Sequence, residues 1–338
     1  MPGVGHGGTH FTSWAQELRS AAAGAPVPSV AYSPDTKSLA LASGASVRCL
    51  AAATLAERCE LKAPHGEGVV VRGVAYAGSD AAVATVGDDG AARVWDCASG
   101  ALRHEFQLEQ PAPASSCVAF GVCGKSPTLA VGYADGTARL WDLGLGQCTA
   151  ELISGHSGAV LGIDVSRDGQ FVATASEDGS ARLWATDDGT CVGVLSIPGK
   201  PAACNVVRFG SRRTSSLLAV GTASGAAHAF ALPACTLAHS FEGHTGSIKG
   251  MSIGENGEVL ATGSADRSIR TWKLRTGEYC RSLPGGGGVL ALSFSSSGAA
   301  NLASATAKGK LKVWGIVPNG VRGAAGMFAK STASGGGR

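Results

Sequence analysis

Short apolar runs separated by turn residues recur along most of the chain. Between residues 160 and 195 these runs are Val160–Val165, Phe171–Ala175, Ala181–Trp184 and Thr190–Leu195. Glycine, aspartate and serine bound the runs, as they commonly bound β-strands. No stretch with a 3.6-residue period is long enough for a crossover helix. The pattern therefore predicts a unit of four strands.

This four-strand unit repeats along the chain. In most units the third strand contains a similar short motif with a tryptophan near its end. The seven matching positions are Cys49, Trp95, Trp141, Trp184, Phe230, Trp272 and Trp314. Their spacings are 46, 46, 43, 46, 42 and 42 residues. Positions just before the inner apolar runs repeat with nearly the same period, at Pro28, Arg72, Ser116, Leu161, Asn205, Lys249 and Leu290. Units of this kind bury their faces by stacking around a ring.

The motifs within the units resemble those of the WD40-repeat family. The Gly-His pairs are Gly155-His156 and Gly243-His244, and the Trp-Asp pairs are Trp95-Asp96 and Trp141-Asp142. An aspartate precedes the tryptophan by six residues at Asp89, Asp135, Asp178 and Asp266. The resemblance covers residues 11–317 and implies an all-β fold, a seven-bladed β-propeller of four-stranded antiparallel blades. We expect a flexible N-terminus over residues 1–10, the propeller over 11–317, and a flexible basic tail rich in Gly, Ala and Ser over 318–338.

The last unit lacks its own outer strand, because its third strand ends near Trp314 and Pro318 follows soon after. In the family the two ends of the chain commonly share one blade, which removes an exposed strand edge. We therefore expect Phe11–Arg19 to supply an N-terminal strand that closes the ring. A short helix over Trp14–Ala23 is the alternative.

The resemblance also implies a hydrogen-bonded network of one histidine, one serine or threonine, one aspartate and the tryptophan in each complete unit. The matching residues are His65, Thr85, Asp89, Trp95, His156, Thr174, Asp178, Trp184, His244, Thr262, Asp266 and Trp272. These residue types also suggest a catalytic triad, but their repetition in several units favours a structural role. Four units depart from the pattern: Ser43, Ser224 and Lys308 take the aspartate position in units one, five and seven, and Val131 takes the threonine position in unit three.

Composition narrows the possible function classes. Of 338 residues, 44% are hydrophobic, which excludes a disordered chain, and a net charge of +3 indicates neither nucleic acid nor an anionic membrane as partner. The ten cysteines are scattered without a CxxC pair, so we interpret them as reduced thiols. The N-terminus shows no signal-peptide pattern and no apolar stretch predicts a membrane span. We expect no metal site and no cofactor, since no residues have metal-ligand spacing.

Two glycine-containing motifs bear on phosphate binding. Gly124-Lys125-Ser126 resembles the end of a phosphate-binding loop, but Ala119 stands at the first glycine position and the segment lies between strands. Gly285–Gly288 forms a loop before the first strand of the last unit. We interpret these four glycines as conformational, with a phosphate-cradling role as the alternative.

A propeller offers two faces for binding. On the top face, formed by the loops between units and by the turn after the second strand, the candidate protein-binding residues are Arg72, Asp88, Tyr133, Glu177, Asn205 and Lys249. Tyr133 is the expected aromatic anchor.

The expected function is that of a non-catalytic scaffold or adaptor whose partners are other proteins in a larger assembly. The alternatives are a component of a ribonucleoprotein or RNA-processing complex, a ubiquitin-ligase or proteasome-assembly adaptor, and a propeller enzyme. A direct nucleic-acid ligand, a membrane and a small-molecule substrate are not expected. The expected location is the cytoplasm, in a ciliary or cytoskeletal setting, with the nucleus left open.

Overall fold

The computed structural model describes residues 14–316, apart from 63, 78–81, 110, 125, 154, 212–213, 255 and 297–300. The expected flexible ends, residues 1–10 and 318–338, and the outermost propeller residues 11–13 and 317 lie outside the described residues.

The described part of the chain forms strands joined by turns and loops. In chain order the strands are β1 (Trp14–Ala22), β2 (Ser29–Tyr32), β3 (Ser38–Ser43), β4 (Ser46–Ala51), β5 (Glu57–Lys62), β6 (Val71–Tyr76), β7 (Ala82–Gly87), β8 (Ala92–Asp96), β9 (Leu102–Phe106), β10 (Ser115–Cys123), β11 (Ser126–Tyr133), β12 (Ala138–Asp142), β13 (Gln147–Leu152), β14 (Val160–Val165), β15 (Phe171–Ser176), β16 (Ala181–Ala185), β17 (Cys191–Leu195), β18 (Cys204–Phe209), β19 (Leu217–Thr222), β20 (Ala227–Ala231), β21 (Thr236–Phe241), β22 (Ile248–Ile253), β23 (Val259–Ser264), β24 (Ser268–Lys273), β25 (Tyr279–Pro284), β26 (Val289–Phe294), β27 (Asn301–Thr306) and β28 (Lys310–Ile316).

These strands build seven four-stranded antiparallel sheets, the blades of a propeller. Blades 1 to 6 each use four consecutive strands, from β2–β5 to β22–β25, and blade 7 has the order β26-β27-β28-β1. We label the strands of a blade a to d from the centre outwards. The a strands of neighbouring blades pack against one another around the ring, including β26 against β2. The predicted seven-bladed all-β fold is therefore confirmed.

The N-terminal strand closes the ring. β1 pairs antiparallel with β28, with Glu17 opposite Trp314 and Ala22 opposite Lys310. The helical alternative for this segment is wrong, because the backbone groups along the outer edge of β28 find their partners in an extended β1.

The hydrophobic core lies between adjacent blades rather than within one sheet. Between blades 3 and 4, for example, Leu140 and Leu152 pack with Ile163, Val172 and Trp184 in one buried cluster. The b strands are almost wholly buried because a blade covers each of their faces, whereas the d strands at the rim are mostly exposed. This arrangement explains the continuous apolar runs at b and the mixed sequences at d.

The first blade departs from the predicted alignment by one residue. In blade 2, Trp95 lies opposite Val83, and the pairing with strand d is irregular just before Trp95. In blade 1 the corresponding residue is Leu50, which lies opposite Leu39 and follows the same irregularity. The predicted position Cys49 is therefore wrong by one, because the b–c turn of blade 1 is one residue shorter. Ser43 accordingly ends strand b instead of occupying the turn.

Candidate interaction surface

In blade 4, four side chains form one hydrogen-bonded set. His156 lies in the loop that enters the blade, and its Nδ1 is 2.9 Å from Oδ2 of Asp178. Its Nε2 is 2.7 Å from Oγ1 of Thr174, to which Nε1 of Trp184 donates at 2.8 Å. The carboxylate assigns the ring proton to Nδ1, so the Thr174 hydroxyl donates to Nε2 and accepts from the indole.

The same arrangement occurs in two further blades. In blade 6 the three distances are 2.7, 2.9 and 2.9 Å in the set His244, Asp266, Thr262 and Trp272. In blade 2 they are 2.8, 2.8 and 2.9 Å in the set His65, Asp89, Thr85 and Trp95. All twelve residues assigned to the network from the sequence thus lie in three polar sets, one in each of blades 2, 4 and 6.

The pKa shifts and the burial of the polar sets indicate a structural rather than a catalytic role. Burial lowers the pKa of His156, so its imidazole is neutral at pH 7. Burial acts to raise the pKa of Asp178, but hydrogen bonds from Ser180 and His156 outweigh it and lower the pKa to about 2. Thr174 has no exposed surface and its hydroxyl has two partners. A hydroxyl so enclosed cannot reach a substrate, which argues against a triad here.

The aspartates of two sets also hold the loops between blades. Oδ2 of Asp178 accepts a hydrogen bond from the backbone N–H of Ser157 at 3.1 Å, and Oδ2 of Asp266 accepts one from Thr245 at 3.1 Å. Each carboxylate therefore joins the d–a loop before its blade to its own b–c turn. Both elements lie on the top face, so the sets determine the shape of that face.

The a strands enclose a central cavity of about 280 Å³, and the seven positions that repeat before the inner runs are among the residues that line it. At its rim, Arg72 makes a bidentate ion pair with Asp88, with hydrogen bonds of 2.7 and 2.9 Å. Nζ of Lys249 donates to Oδ1 of Asn205 at 3.1 Å. Asn205 itself is buried and its amide donates to the carbonyl of Ile248 at 2.9 Å.

The candidate residues of this face differ in what they present to a partner. Arg72, Lys249 and Glu177 are exposed. Tyr133 is wholly buried, so the prediction that it is an aromatic anchor is wrong. It ends strand β11, and its ring turns into the core between blades 2 and 3, where the guanidinium carbon of Arg139 lies 5.3 Å from the ring centre.

The model of the family described as "WD domain, G-beta repeat" matches residues 58–96, 109–142, 146–185 and 235–273. Together with the seven blades, these matches settle the family. The chain is a WD40-repeat protein. No helix of the described residues is long and apolar enough to cross a membrane.

Curated relatives match parts of this WD40 chain. Autophagy-related protein 16 of Arabidopsis thaliana is 27% identical over 158 residues, covering 47% of this chain and 31% of the relative. Angio-associated migratory cell protein of Homo sapiens is 29% identical over 161 residues, covering 44% and 37%. Pre-mRNA-processing factor 19 homolog 2 of Arabidopsis thaliana is 27% identical over 154 residues, covering 45% and 29%. The chain thus spans about a third of the length of these relatives.

The remaining blades of the WD40 ring keep less of the polar set. Blade 7 retains one bond that the sequence reasoning missed, in which Nε1 of Trp314 donates to Oγ of Ser304 at 2.9 Å. The signal was a hydroxyl residue ten positions before the tryptophan, as in Thr174 and Trp184. In blade 3, Val131 offers no acceptor to Trp141, whose indole N–H has no partner among the described residues.

Proposed function

We propose that this WD40 protein is a non-catalytic scaffold or adaptor that binds other proteins through its top face, as a subunit of a larger assembly. The observation that carries the proposal is the attachment of d–a loops to b–c turns by the Asp178 and Asp266 carboxylates, whose side chains are only 10% accessible. Loops fixed in this way present a pre-organised surface, and less conformational entropy is lost when a partner binds to such a surface.

The exposed charged residues of the top face form a pattern of positive and negative groups that a protein partner can recognise. Arg72 and Asp88 form an exposed ion pair at the cavity rim, with 51% and 36% of their side-chain surface accessible. Lys249 lies across the rim on blade 6, and the exposed Glu177 lies on the b–c turn of blade 4. Charges placed like this set the orientation and the on-rate of a protein partner more than its affinity.

We propose the cytoplasm as the location, with a ciliary or cytoskeletal assembly as the specific setting. All ten cysteines lie within the described residues and carry free thiols. Free thiols fit a reducing compartment. Immunofluorescence of the full chain in its native source tests the setting, since cilium or microtubule staining supports it and exclusively nuclear staining contradicts it.

A ribonucleoprotein component is the second candidate function. It is supported by the similarity to a relative named as a pre-mRNA-processing factor homologue. RNase treatment separates the candidates, because partners of a direct protein scaffold stay bound while partners held through RNA are lost.

The experiment that tests the main proposal compares two triple variants in affinity isolation from the native source. The first, Arg72→Ala, Glu177→Ala and Lys249→Ala, alters the top face. The matched control, Lys37→Ala, Lys273→Ala and Glu278→Ala, makes the same charge change on the opposite face. Loss of partners from the first variant alone supports the proposal, provided that both variants melt like the parent. Loss from the control alone contradicts it.

A further inference from the structure

Two cysteines meet at the junction of blades 1 and 2. At other junctions, the residue just before the tryptophan position of one blade packs in the same cluster as the residue two places after the tryptophan position of the next blade. These pairs are Val94 with Leu143, Leu183 with Leu232, and Ala229 with Leu274. The equivalent residues of blades 1 and 2 are Cys49 and Cys97, which also pack in one cluster. Sulfur thus takes both positions at this junction.

A third cysteine faces the same junction. Cys59 lies directly opposite Cys49 in the pairing of β4 with β5. Side chains of directly opposite residues lie on one face of a sheet, with Cβ atoms about 4.5–5.5 Å apart. Cys59 accordingly packs in the same cluster as the other two cysteines. In blade 3 the equivalent pair is Leu140 and Ala150, so apolar side chains are sufficient to fill these positions.

The cysteines differ in their access to solvent. Cys49 is only 2% exposed. Cys97 is half-buried and lies in the c–d turn of blade 2, immediately before the exposed Ala98 and Ser99. Of these two thiols, Cys97 is therefore the one that a small solute can reach.

The cysteines also differ in acidity. A hydrogen bond from the Cys49 thiol lowers the pKa of Cys97. The same contact, together with burial, raises the pKa of Cys49, and burial raises the pKa of Cys59 to about 12. Peroxides react with the thiolate and not with the thiol. Cys97 is thus the nucleophile of the cluster, and Cys49 is a protonated thiol in contact with it.

We propose that Cys97 is a site of oxidation by hydroperoxides and that Cys49 then closes a reversible disulfide with it, which joins blade 1 to blade 2. The Cys97 thiolate attacks one oxygen of hydrogen peroxide, the O–O bond breaks, and with uptake of one proton the products are a sulfenic acid and water. The sulfur of Cys49 then attacks the sulfenic sulfur. The S–S bond forms, the S–O bond breaks, and the Cys49 proton leaves with the hydroxyl as a second water. The two thiols lose the two electrons that the peroxide gains.

Peptide mapping of the purified full chain after treatment with hydrogen peroxide tests the proposal. Trypsin cuts after arginine and lysine and places the three cysteines on separate peptides, residues 49–58, 59–62 and 94–103. We expect a linked pair of peptides 49–58 and 94–103, which dithiothreitol separates.

Cys280 is the reference thiol in the same samples. It is half-buried like Cys97, and in the described part of blades 6 and 7 it is the only cysteine. Burial raises the pKa of Cys280. Cys97 should therefore lose its free thiol at least about tenfold faster than Cys280.

Alanine variants test the order of the two steps, with dimedone present to trap sulfenic acids. Cys49→Ala should accumulate the dimedone adduct on Cys97, because the second thiol is missing. Cys97→Ala should leave Cys49 as a free thiol. The matched control Cys59→Ala removes a thiol of the same cluster and should form the Cys49–Cys97 disulfide within about twofold of the parent rate, since Cys59 is neither partner of the bond.

Three results overturn the proposal. The first is a parent protein whose peptides 49–58 and 94–103 stay unlinked after peroxide has oxidised Cys280, and this result needs no variant to fold. The second is an equal rate of thiol loss at Cys97 and Cys280. The third is a dimedone adduct on Cys49 in the Cys97→Ala variant. No protein partner is present in these experiments, so their failure is independent of failure of the scaffold function.

Discussion

Oδ2 of Asp178 lies 3.1 Å from the backbone nitrogen of Ser157, and this contact joins the b–c turn of blade 4 to the loop that arrives from blade 3. The same carboxylate oxygen lies 2.9 Å from the ring of His156. One aspartate thus completes the polar set and fixes the surface loop above it. Stability of the ring and shape of the top face therefore depend on the same residue.

Removal of this aspartate should destabilise the protein measurably. Asp178→Ala leaves the Nδ1–H of His156 and the N–H of Ser157 without their acceptor, at a cost of about 1–3 kcal/mol in the free energy of unfolding. Urea unfolding of the two proteins measures the difference.

Blade 3 offers a matched control for that variant. Asp135 occupies the same turn position, but among the described residues it receives hydrogen bonds only from Thr137, and it is exposed. Asp135→Ala should cost less than about 1 kcal/mol. Equal losses in the two variants would show that the histidine contact contributes nothing.

Mild acid should weaken the fold through the three histidines. Burial holds the pKa of His65, His156 and His244 below the ordinary value of about 6.5 that they regain on unfolding. The unfolded chain therefore binds more protons as the pH falls through about 6.5, and the free energy of unfolding decreases. The aspartates, with pKa values of about 2 in blades 4 and 6, add a further loss below about pH 4.

Chemical unfolding at a series of pH values between 7 and 5 checks this dependence. The double variant His156→Gln/His244→Gln should be less stable at pH 7 and should lose less stability on acidification. A slope identical to that of the parent protein would refute the assignment of the acid sensitivity to these rings.

The N-terminal strand should be required for a stable ring. Deletion of residues 1–20 removes most of β1 and leaves the edge of β28 unpaired, together with the ion pair of Glu17 and Lys312. Each lost ladder bond costs net about 0.5–1.5 kcal/mol, so the melting temperature should fall by several degrees or more. Deletion of residues 1–10 is the control and should melt like the full chain. An unchanged melt after the longer deletion speaks against closure by β1.

Tyr133 should matter for stability rather than for binding. Because its ring is wholly buried between two blades, Tyr133→Ala should cost roughly 3–5 kcal/mol in the free energy of unfolding. Arg72→Ala breaks an exposed ion pair and should cost less than about 1 kcal/mol. A Tyr133→Ala protein as stable as the Arg72→Ala protein would restore the interpretation of Tyr133 as a surface anchor.

The parts of this fold that sequence could predict are those with a fixed spacing. The repeated tryptophan and Gly-His positions predict the number of blades. The last unit has a third strand but no fourth, which predicts closure of that blade by the other end of the chain. The spacing gave a wrong position in blade 1, where the third strand has no tryptophan. The b–c turn is one residue shorter there, so the residue equivalent to the tryptophan is Leu50 and not Cys49. Turn length is a local property that the period does not contain.

Side-chain direction was the harder part of the site. Tyr133 ends the second strand of blade 3 at the top face, but its ring turns inwards and packs in the apolar cluster that contains Val131. The lysines of blade 7 were visible as a departure from the motif at Lys308. Lys310 and Lys312 approach Gly286, and Lys308 approaches Gly287, which became apparent only once the loop and β28 were in place.

Cross-linking mass spectrometry of the full chain with partners isolated from its native source shows directly which face of the propeller binds them. The lysines of the two faces serve as separate reporters, with Lys249, Lys308 and Lys310 on the top face and Lys37 and Lys273 on the opposite face. If partners bind the top face, their cross-links concentrate on the first three lysines. Cross-links confined to Lys37 and Lys273 would contradict binding at the top face.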